Sequence, residues 1–366
     1  MGSLSGQSHQ KKKSVIKDHR LAARAARLIY VTDRIPGIER HKKGKGYYYT
    51  YKNRLVKDKR QLIRIKQLAI PPSWTKVWIC VSPAGHIQAT GLDLNGRKQY
   101  RYHAKWNELR SETKFHRLLE FGKVLPQLRK KIKKDLEDKE LTANKVLATA
   151  IWLMEQTYIR VGNNDYEKLY GSYGLTTLKD KHVSIQQDKA IFSFTGKKGI
   201  AHHITLKNKR FARILKQCRD IPGKELFQYY DGNGKRNSID SGMVNNYIKE
   251  ATNKDFSAKD FRTWAGSVEA IECFRTAGKI NVAADIQKNI LSVLDAVSAK
   301  LGNSRNICKK YYVHPGLISL YEENKLIDYI NDSTTAKTYG QHGLSPAEKV
   351  LMHVLKRCNG KKTRLF

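Results

Sequence analysis

The segment Lys259-Asp260-Phe261-Arg262-Thr263-Trp264 opens a stretch in which apolar residues recur at the spacing of an α-helix. Its apolar positions, which run from Phe261 to Val268, fall on one side of that helix and are expected to face a core. The same register places Lys259 and Arg262 together on the opposite side. We therefore predict a packed helix whose two leading cations point away from the core.

Helical periodicity also dominates the chain on both sides of this segment, from about Trp106 onward. Thr142 is the predicted N-cap of a helix that ends near Gly162. We expect His314-Pro315 to stop the helix before it, because proline cannot continue an α-helix. The remaining predicted helices span residues 211–218, 241–250, 258–277, 290–301, 306–312 and 346–358.

Strands are predicted in two parts of the chain. Aromatic and β-branched runs at Tyr47–Tyr51 and Val77–Val81 indicate a small β-rich region between about Asp33 and His103. A β-hairpin interrupts the helices further on, with the turn Gly196-Lys197-Lys198-Gly199 at its tip. Its predicted strand residues are 183–185, 191–195 and 200–206.

The charge of the chain restricts the class of partner. Its 366 residues include 70 Lys and Arg against 33 Asp and Glu, which gives a net charge of +37. A polyanion would offset this self-repelling excess, because cations that neutralise phosphates release condensed counterions. DNA, RNA and an anionic membrane surface all fit the charge, so it predicts a polyanionic partner without identifying it.

The sequence also carries few signs of export or of cofactor binding. The five cysteines are scattered and form no CxxC pair, and no apolar run approaches the roughly 20 residues that span a bilayer. There is no G-x-x-x-x-G-K-[ST] phosphate loop and no acidic cluster with the spacing of a two-metal site. We predict a soluble cytoplasmic protein with no metal, no nucleotide cofactor and no membrane partner.

Cleavage of a phosphodiester by side chains alone needs a nucleophile, positive charge on the non-bridging oxygens and an acid for the leaving oxygen. Tyrosine, arginine and lysine can fill these roles in that order. Four segments of the chain contain residues of these types, and the segment with Arg262 is one of them. The other three are Ile159-Arg160-Val161-Gly162-Asn163 at a predicted last helical turn, Phe194-Thr195-Gly196-Lys197-Lys198-Gly199 at the hairpin tip, and Leu301-Gly302-Asn303 followed by Tyr311-Tyr312-Val313-His314-Pro315.

This ordered set resembles the type IB DNA topoisomerases, in particular the short, poxvirus-like bacterial enzymes. The resemblance runs from about Asp33 to about Ile318. It implies an enzyme that cuts one strand of double-stranded DNA, without metal or ATP, and relaxes positive and negative supercoils. The N-terminal motifs that carry it are Asp33-Arg34-Ile35-Pro36-Gly37-Ile38, Ala69-Ile70-Pro71-Pro72-Ser73-Trp74, Gly85-His86-Ile87-Gln88-Ala89-Thr90-Gly91 and Gly96-Arg97-Lys98-Gln99-Tyr100-Arg101-Tyr102-His103.

The fold class expected from the elements and the resemblance is α+β. It combines a small β-rich N-terminal domain with a mainly α-helical catalytic domain that holds a β-hairpin or small sheet, and the two form a clamp around DNA. The expected divisions are a basic flexible arm over 1–28, the β-rich DNA-binding domain over 29–105, the catalytic domain over 106–330 and a tail with a short helix over 331–366. The resemblance also suggests a monomer, associated with the nucleoid.

The resemblance implies a role for each candidate site residue. Tyr312 would be the nucleophile that forms a 3′-phosphotyrosyl link, Arg160 and Arg262 would hold the phosphate oxygens, and Lys197 would be the general acid. Asn303 stands where the poxvirus and eukaryotic enzymes have histidine, and its amide can donate a hydrogen bond but cannot titrate near neutral pH. The implied DNA-binding residues are Gln99, Tyr100, Tyr102, Tyr166 and Lys259.

Simpler roles compete with several of these assignments. Lys198 stands beside Lys197, Tyr311 stands beside Tyr312, and Asn303 could cap the helix that follows it. Gln99, Tyr100 and Tyr102 fit a strand with one buried aromatic face equally well.

Two other functions also compete. A tyrosine recombinase uses a similar catalytic set, although Lys259 stands where those enzymes usually carry histidine. A noncatalytic nucleic-acid-binding protein would explain the charge but would leave the ordered motifs to chance. Relaxation of a supercoiled plasmid, with chelator present and ATP absent, separates the three functions.

Overall fold

The computed structural model describes residues 19–44, 46–94, 96–279, 282–334 and 343–362. The chain divides into two compact units, Met1–Lys114 and Phe115–Phe366, which we call the N-terminal unit and the C-terminal unit. Each contains its own cluster of buried apolar side chains. Most of the predicted basic arm, residues 1–18, lies outside the described residues, and helix α1 (His19–Ala25) follows it.

The N-terminal unit contains a six-stranded antiparallel sheet in the order β3-β2-β1-β4-β5-β6. In its middle, Ile38 of β1 pairs with Tyr51 of β2 and with Ile79 of β4. Ile38 and Ile79 are buried together with Val77 and Ala89, which gives the sheet an apolar core. The strands are β1 Ile38–Lys43, β2 Gly46–Tyr51, β3 Arg54–Leu55, β4 Thr75–Ile79, β5 Ile87–Leu92 and β6 Lys98–Tyr102.

A helix, α2 (Lys59–Gln67), lies between β3 and β4 in a region where the sequence predicted strands only. Asp58 caps it by accepting a hydrogen bond from the amide of Arg60 at 2.9 Å. Its Ile65 is buried in the core of the sheet, and its Arg64 guanidinium donates to the carbonyl oxygen of Cys80 at 2.6 Å. The prediction missed this helix because its many basic residues obscure a short apolar stripe.

The rest of the chain is mainly helical, with two small antiparallel sheets, so the predicted α+β class is confirmed. No helix in the described part of the chain is both long and apolar enough to cross a membrane. The helices are α3 Ala104–Leu136, α4 Ala143–Thr157, α5 Asn164–Tyr170, α6 Lys209–Asp220, α7 Ser241–Thr252, α8 Ala258–Ala277, α9 Ala283–Leu301, α10 Arg305–Tyr311, α11 Pro315–Glu322, α12 Leu326–Thr334 and α13 Pro346–Lys362. The sheets are β7 Val183–Gln186, β8 Lys189–Thr195 and β9 Ala201–Lys207, and the pair β10 Gln228–Tyr230 and β11 Arg236–Ser238.

One predicted helix end is wrong, and the error has a local cause. Helix α4 stops at Thr157 rather than near Gly162, because Tyr158 adopts a left-handed conformation with φ of 58°. The predicted stop before His314-Pro315 is confirmed, since α10 ends at Tyr311, and Pro315 itself begins α11 with His314 as the N-cap. Proline is favoured in the first turn of a helix, where its missing N–H costs nothing.

Helix α13, at the C-terminal end of the described chain, belongs to the core of the C-terminal unit. Glu348 near its start accepts hydrogen bonds from Arg129 of α3 at 2.7 Å and from the indole N–H of Trp264 of α8 at 2.9 Å. Gly122 of α3 packs closely against Trp264 and Met352, where a Cβ would lie 2.3 Å from the Met352 Sδ. The apolar side chains of α13 that are at most 4% exposed are Ala347, Val350, Leu351, Val354 and Leu355.

Candidate active site

Helix α8 brings Arg262 into the core of the C-terminal unit. The side chain is only 6% exposed, and its guanidinium donates to the carbonyl oxygens of Tyr158 and Leu301, the latter at 2.6 Å. Burial lowers the pKa of Arg262, and the neighbouring Tyr312 phenol opposes that effect. The expectation that Arg262 faces away from the core is therefore wrong, because α8 is covered on both sides, whereas Lys259 is exposed as expected.

Arg160 lies beyond the end of α4 rather than in its last turn. The left-handed Tyr158 turns the chain, and the carbonyl oxygen of Arg160 accepts a hydrogen bond from the amide of Leu175 at 2.8 Å. The two segments approach so closely that a Cβ on Gly174 would lie 2.6 Å from that same carbonyl oxygen. A glycine is therefore required at position 174, and it fixes the backbone that carries Arg160.

The Arg160 side chain reaches the turn that follows α9. Its guanidinium donates to the carbonyl oxygen of Gly302 at 2.9 Å and to the side-chain oxygen of Asn303 at 2.8 Å. Burial, followed by the like charge of Arg262, lowers the pKa of Arg160 to about 10, so it remains charged at neutral pH. Both candidate arginines thus bind consecutive groups of one turn, Leu301–Asn303.

That turn has the geometry of a helix C-cap. Gly302 is left-handed with φ of 56°, and the amide of Asn303 donates to the carbonyl oxygen of Ser298 at 3.0 Å. The side-chain oxygen of Asn303 accepts from Arg160, and its amide nitrogen donates to the carbonyl oxygen of Leu301 at 3.5 Å, so the second N–H of that amide is the group able to donate to a phosphate oxygen. Ser304, not Asn303, occupies the N-cap position of α10.

Tyr312 directly follows α10, and its ring lies 5.5 Å from the guanidinium carbon of Arg262. Its backbone is held by α8: the Ser267 hydroxyl donates to the carbonyl oxygen of Tyr312 at 2.9 Å and accepts from the amide of His314 at 3.0 Å. A Cβ on Gly266 would lie 2.7 Å from the Tyr312 Cβ, so α8 and the Tyr312 backbone are in direct contact. One helix therefore positions both Arg262 and Tyr312.

Lys197 lies at the tip of the β8–β9 hairpin, and its side chain is exposed. The turn Lys197–Gly199 is closed by a hydrogen bond from the amide of Gly196 to the carbonyl oxygen of Ile200 at 2.7 Å. Lys198 adopts a left-handed φ of 67° within this turn. Arg160, Arg262, Asn303 and Tyr312 are brought together by direct contacts, whereas Lys197 is placed at the end of a hairpin beside them.

Comparisons with known proteins identify the family of the chain. Residues 103–337 match the family model described as eukaryotic DNA topoisomerase I, catalytic core, and residues 46–93 match bacterial DNA topoisomerase IB, N-terminal domain. The chain belongs to the type IB DNA topoisomerases. It is a type I topoisomerase, and DNA is its substrate.

Individual relatives cover most of the chain. It is similar to DNA topoisomerase 1B of Acanthamoeba polyphaga mimivirus, with 32% identity over 306 residues, which cover 81% of this chain and 91% of that protein. DNA topoisomerase 1B of Vaccinia virus (strain Copenhagen) is 24% identical over 246 residues, 67% of this chain and 75% of that protein. The family inferred from the motifs is therefore confirmed.

The candidate DNA-binding residues of this topoisomerase differ in their exposure and in their contacts. Tyr100 is 43% exposed on β6 and stacks on Tyr102, with ring centres 5.7 Å apart. Gln99 points to the other face of the strand, where its amide donates to Asp93 at 2.9 Å. Tyr166 lies on α5, and its side chain is outside the part of the chain that the structure describes.

Two residues of the site were not singled out from the sequence. Ser267 was one of many serines, and its bridge to Tyr312 and His314 depends on packing between α8 and the segment after α10. His202 was one residue of a predicted strand, and its ring lies next to the Leu301–Asn303 turn. The alternation of β9, which turns His202 inward and His203 outward, was the available signal.

Proposed function

We propose that this topoisomerase relaxes positive and negative supercoils by cutting one DNA strand through a 3′-phosphotyrosyl link to Tyr312, with neither metal nor ATP. The observation that carries the proposal is the placement of Arg262, Arg160 and Asn303 around Tyr312. Two guanidinium groups and an amide supply the positive charge and hydrogen bonds that the non-bridging oxygens of a cleaved phosphodiester require.

The chemical step exchanges one P–O bond for another. The phenol oxygen of Tyr312 attacks phosphorus, its proton passes to solvent, and the bond to the 5′ oxygen breaks. Lys197 gives a proton to the departing 5′ oxygen. The cut strand then rotates about the intact one, driven by stored torsion. The 5′ hydroxyl returns its proton to Lys197 and attacks phosphorus, the bond to the Tyr312 oxygen breaks, and the phenolate regains a proton from solvent.

Lys197 is preferred as the acid because it lies at the hairpin tip beside the arginine-bound turn, and its ammonium group is on an exposed side chain. An alkoxide is a poor leaving group, and general acid catalysis typically contributes about 10² to 10⁴-fold. The assignment predicts that a sulfur at the leaving position, which departs without a proton, removes the need for Lys197.

DNA binding is proposed to use the exposed face of β6 in the N-terminal unit, with Tyr100, Tyr102 and the cation of Lys98, which lies 5.8 Å from the Tyr100 ring. Lys259 would contact a phosphate near the cleavage site. Gln99 would have to leave Asp93 in order to read a base. We also propose that the enzyme acts as a monomer on the nucleoid in the cytoplasm.

The decisive experiment is plasmid relaxation with a chelator present and ATP absent, on substrates of both supercoil signs. Tyr312→Phe should abolish the covalent adduct and relaxation while leaving noncovalent DNA affinity nearly unchanged, because one hydroxyl is lost from a surface with many cations. Tyr311→Phe is the matched control and should still form the adduct. Relaxation lost in chelator, or an adduct that survives in Tyr312→Phe but not in Tyr311→Phe, contradicts the proposal.

A further inference from the structure

The imidazole of His202 lies between the hairpin that carries Lys197 and the turn that binds Arg160. On β9, His202 pairs across the strand with Phe194 of β8, and the two rings stack with centres 4.9 Å apart and planes 15° apart. The neighbouring His203 is exposed on the other face, where it contacts the Ser193 hydroxyl at 2.9 Å. Only the first of the two histidines faces the site.

Two glycines lie on opposite sides of the His202 imidazole. A Cβ on Gly196, directly before Lys197, would lie 2.7 Å from the Cδ2 and Nε2 atoms of His202. A Cβ on Gly302 would lie 3.3 Å from the Cε1 atom of His202 and 3.7 Å from a guanidinium nitrogen of Arg160. The ring is therefore packed against the hairpin turn on one side and against the arginine-bound turn on the other.

The ring acts through its shape and not through its charge. Burial, followed by the positive charges of Arg160 and Arg262, lowers the pKa of His202, so the imidazole is neutral at neutral pH. A neutral ring adds no further repulsion beside two guanidinium groups. It is a flat spacer between two backbone turns.

We propose that His202 is a positioning residue that holds the Lys197 turn at the correct distance from the Leu301–Asn303 turn. The inference rests on the proposed role of Lys197 in cleavage. Residues 197–199 of this turn are exposed, whereas Gly196 at its start is buried against the ring, so the ring supplies a contact that orients the turn. A displacement of about 1 Å in a catalytic group can reduce a rate by roughly 10²-fold.

The first test compares single-turnover cleavage by His202→Ala, His202→Phe and the matched control His203→Ala. His202→Ala should cleave about 10- to 100-fold more slowly with DNA affinity unchanged, because the Lys197 turn is no longer held at its distance from the Leu301–Asn303 turn. His202→Phe retains a flat ring that can stack on Phe194, and it should recover most of the rate. His203→Ala should cleave like the wild type. Equal rates for His202→Ala and His203→Ala overturn the proposal.

The second test separates positioning of Lys197 from a general loss of structure. On an ordinary phosphodiester, adding His202→Ala to Lys197→Ala should slow cleavage little further, since the group that His202 orients is already gone. Effects that multiply in the double variant overturn the proposal, whatever the role of Lys197. His202→Phe is also combined with Lys197→Ala and measured in the same way, so the outcome does not depend on the alanine variant of His202 alone.

A 5′-bridging sulfur substrate then tests the proposed function separately. Recovery of Lys197→Ala on this substrate supports the acid role of Lys197, and His202→Ala should recover with it. If Lys197→Ala recovers and His202→Ala does not, the positioning proposal is wrong while the acid assignment stands. If Lys197→Ala does not recover, the acid assignment fails, and the double-variant comparison still decides the role of His202.

Discussion

Removal of the Ser267 hydroxyl should disconnect the Tyr312 backbone from helix α8. Ser267 is fully buried, and its hydroxyl joins the carbonyl oxygen of Tyr312 to the amide of His314. Ser267→Ala loses both hydrogen bonds and leaves two backbone groups without that partner. Each unsatisfied buried group costs roughly 1–3 kcal/mol, and since both backbone groups are only part-buried we expect the free energy of unfolding to fall by about 2–4 kcal/mol, the lower part of the range for two groups.

The effect on catalysis should exceed what the loss of stability alone would produce. Tyr312 and Arg262 are both positioned by α8, and the Ser267 bridge is one of the contacts that keep the phenol and the guanidinium in register. A shift of Tyr312, the proposed nucleophile, by about 1 Å would slow single-turnover cleavage by roughly 10²-fold. The sulfur substrate should not restore the rate, because the defect lies in the attacking group and not in the leaving group.

The assay is single-turnover cleavage at a temperature where Ser267→Ala remains folded, with urea unfolding measured on the same sample. Thr276→Ala is the matched control, since its hydroxyl is exposed on the same helix and donates to the carbonyl oxygen of Glu272 at 3.2 Å. It should leave the cleavage rate unchanged. A Ser267→Ala variant that loses the expected stability but cleaves within about 2-fold of wild type would show that the bridge does not position Tyr312.

Three further outcomes follow from the charges of the molecule. DNA affinity should fall between about 50 and 200 mM salt, with a logarithmic slope of about −0.9 for each phosphate neutralised. Glu348→Gln should lower the free energy of unfolding by about 3 kcal/mol, because it removes a buried partner of Arg129, which donates at 2.7 Å. Lys123 and Lys254 lower the pKa of Glu120 from 4.5 to about 2. Because its folded-state pKa is the lower one, the stability that Glu120 contributes is present above about pH 4.5 and is lost as the pH falls toward about 2.

Filter binding, urea unfolding and acid titration measure these three outcomes. Salt-independent affinity would contradict the first. For the second, Glu323→Gln is the control, because the Glu323 side chain forms an exposed pair with Lys325 at 2.8 Å, and exposed pairs contribute little to stability. For the third, the free energy of unfolding of Glu120→Gln should differ from that of wild type by at most about 1 kcal/mol at neutral pH. This difference should shrink as the pH falls, and a difference that grows in acid would contradict the prediction.

The sequence predicted those elements whose apolar residues keep a regular spacing. Helix α8 begins and ends where the pattern placed it, at Ala258 and Ala277, and the three strands around the Lys197 turn lie close to the predicted ranges. Local pattern was sufficient for these elements. Chemistry indicated which residue types a site would need, but the resemblance to the type IB topoisomerases selected Arg160, Lys197 and Tyr312 among many basic residues and tyrosines, and their roles stay predictions.

Features that depend on contacts between distant segments could not be predicted in this way. Periodicity identified the apolar face of α8 but not the second layer that covers its polar face and buries Arg262. The left-handed Tyr158, which moves Arg160 out of the helix, has no glycine or asparagine to signal it. The roles of Ser267 and His202 are defined by neighbours far away in sequence.

The packing of α13 on α8 affects the order in which the enzyme becomes competent during synthesis. Tyr312 is synthesised before Glu348, Val350 and Leu351, which complete the core around Trp264. Until α13 has been made and packed, the helix that carries Arg262 and contacts Tyr312 lacks part of its cover. We therefore expect Arg262 and Tyr312 to reach their final arrangement only after α13 has been translated.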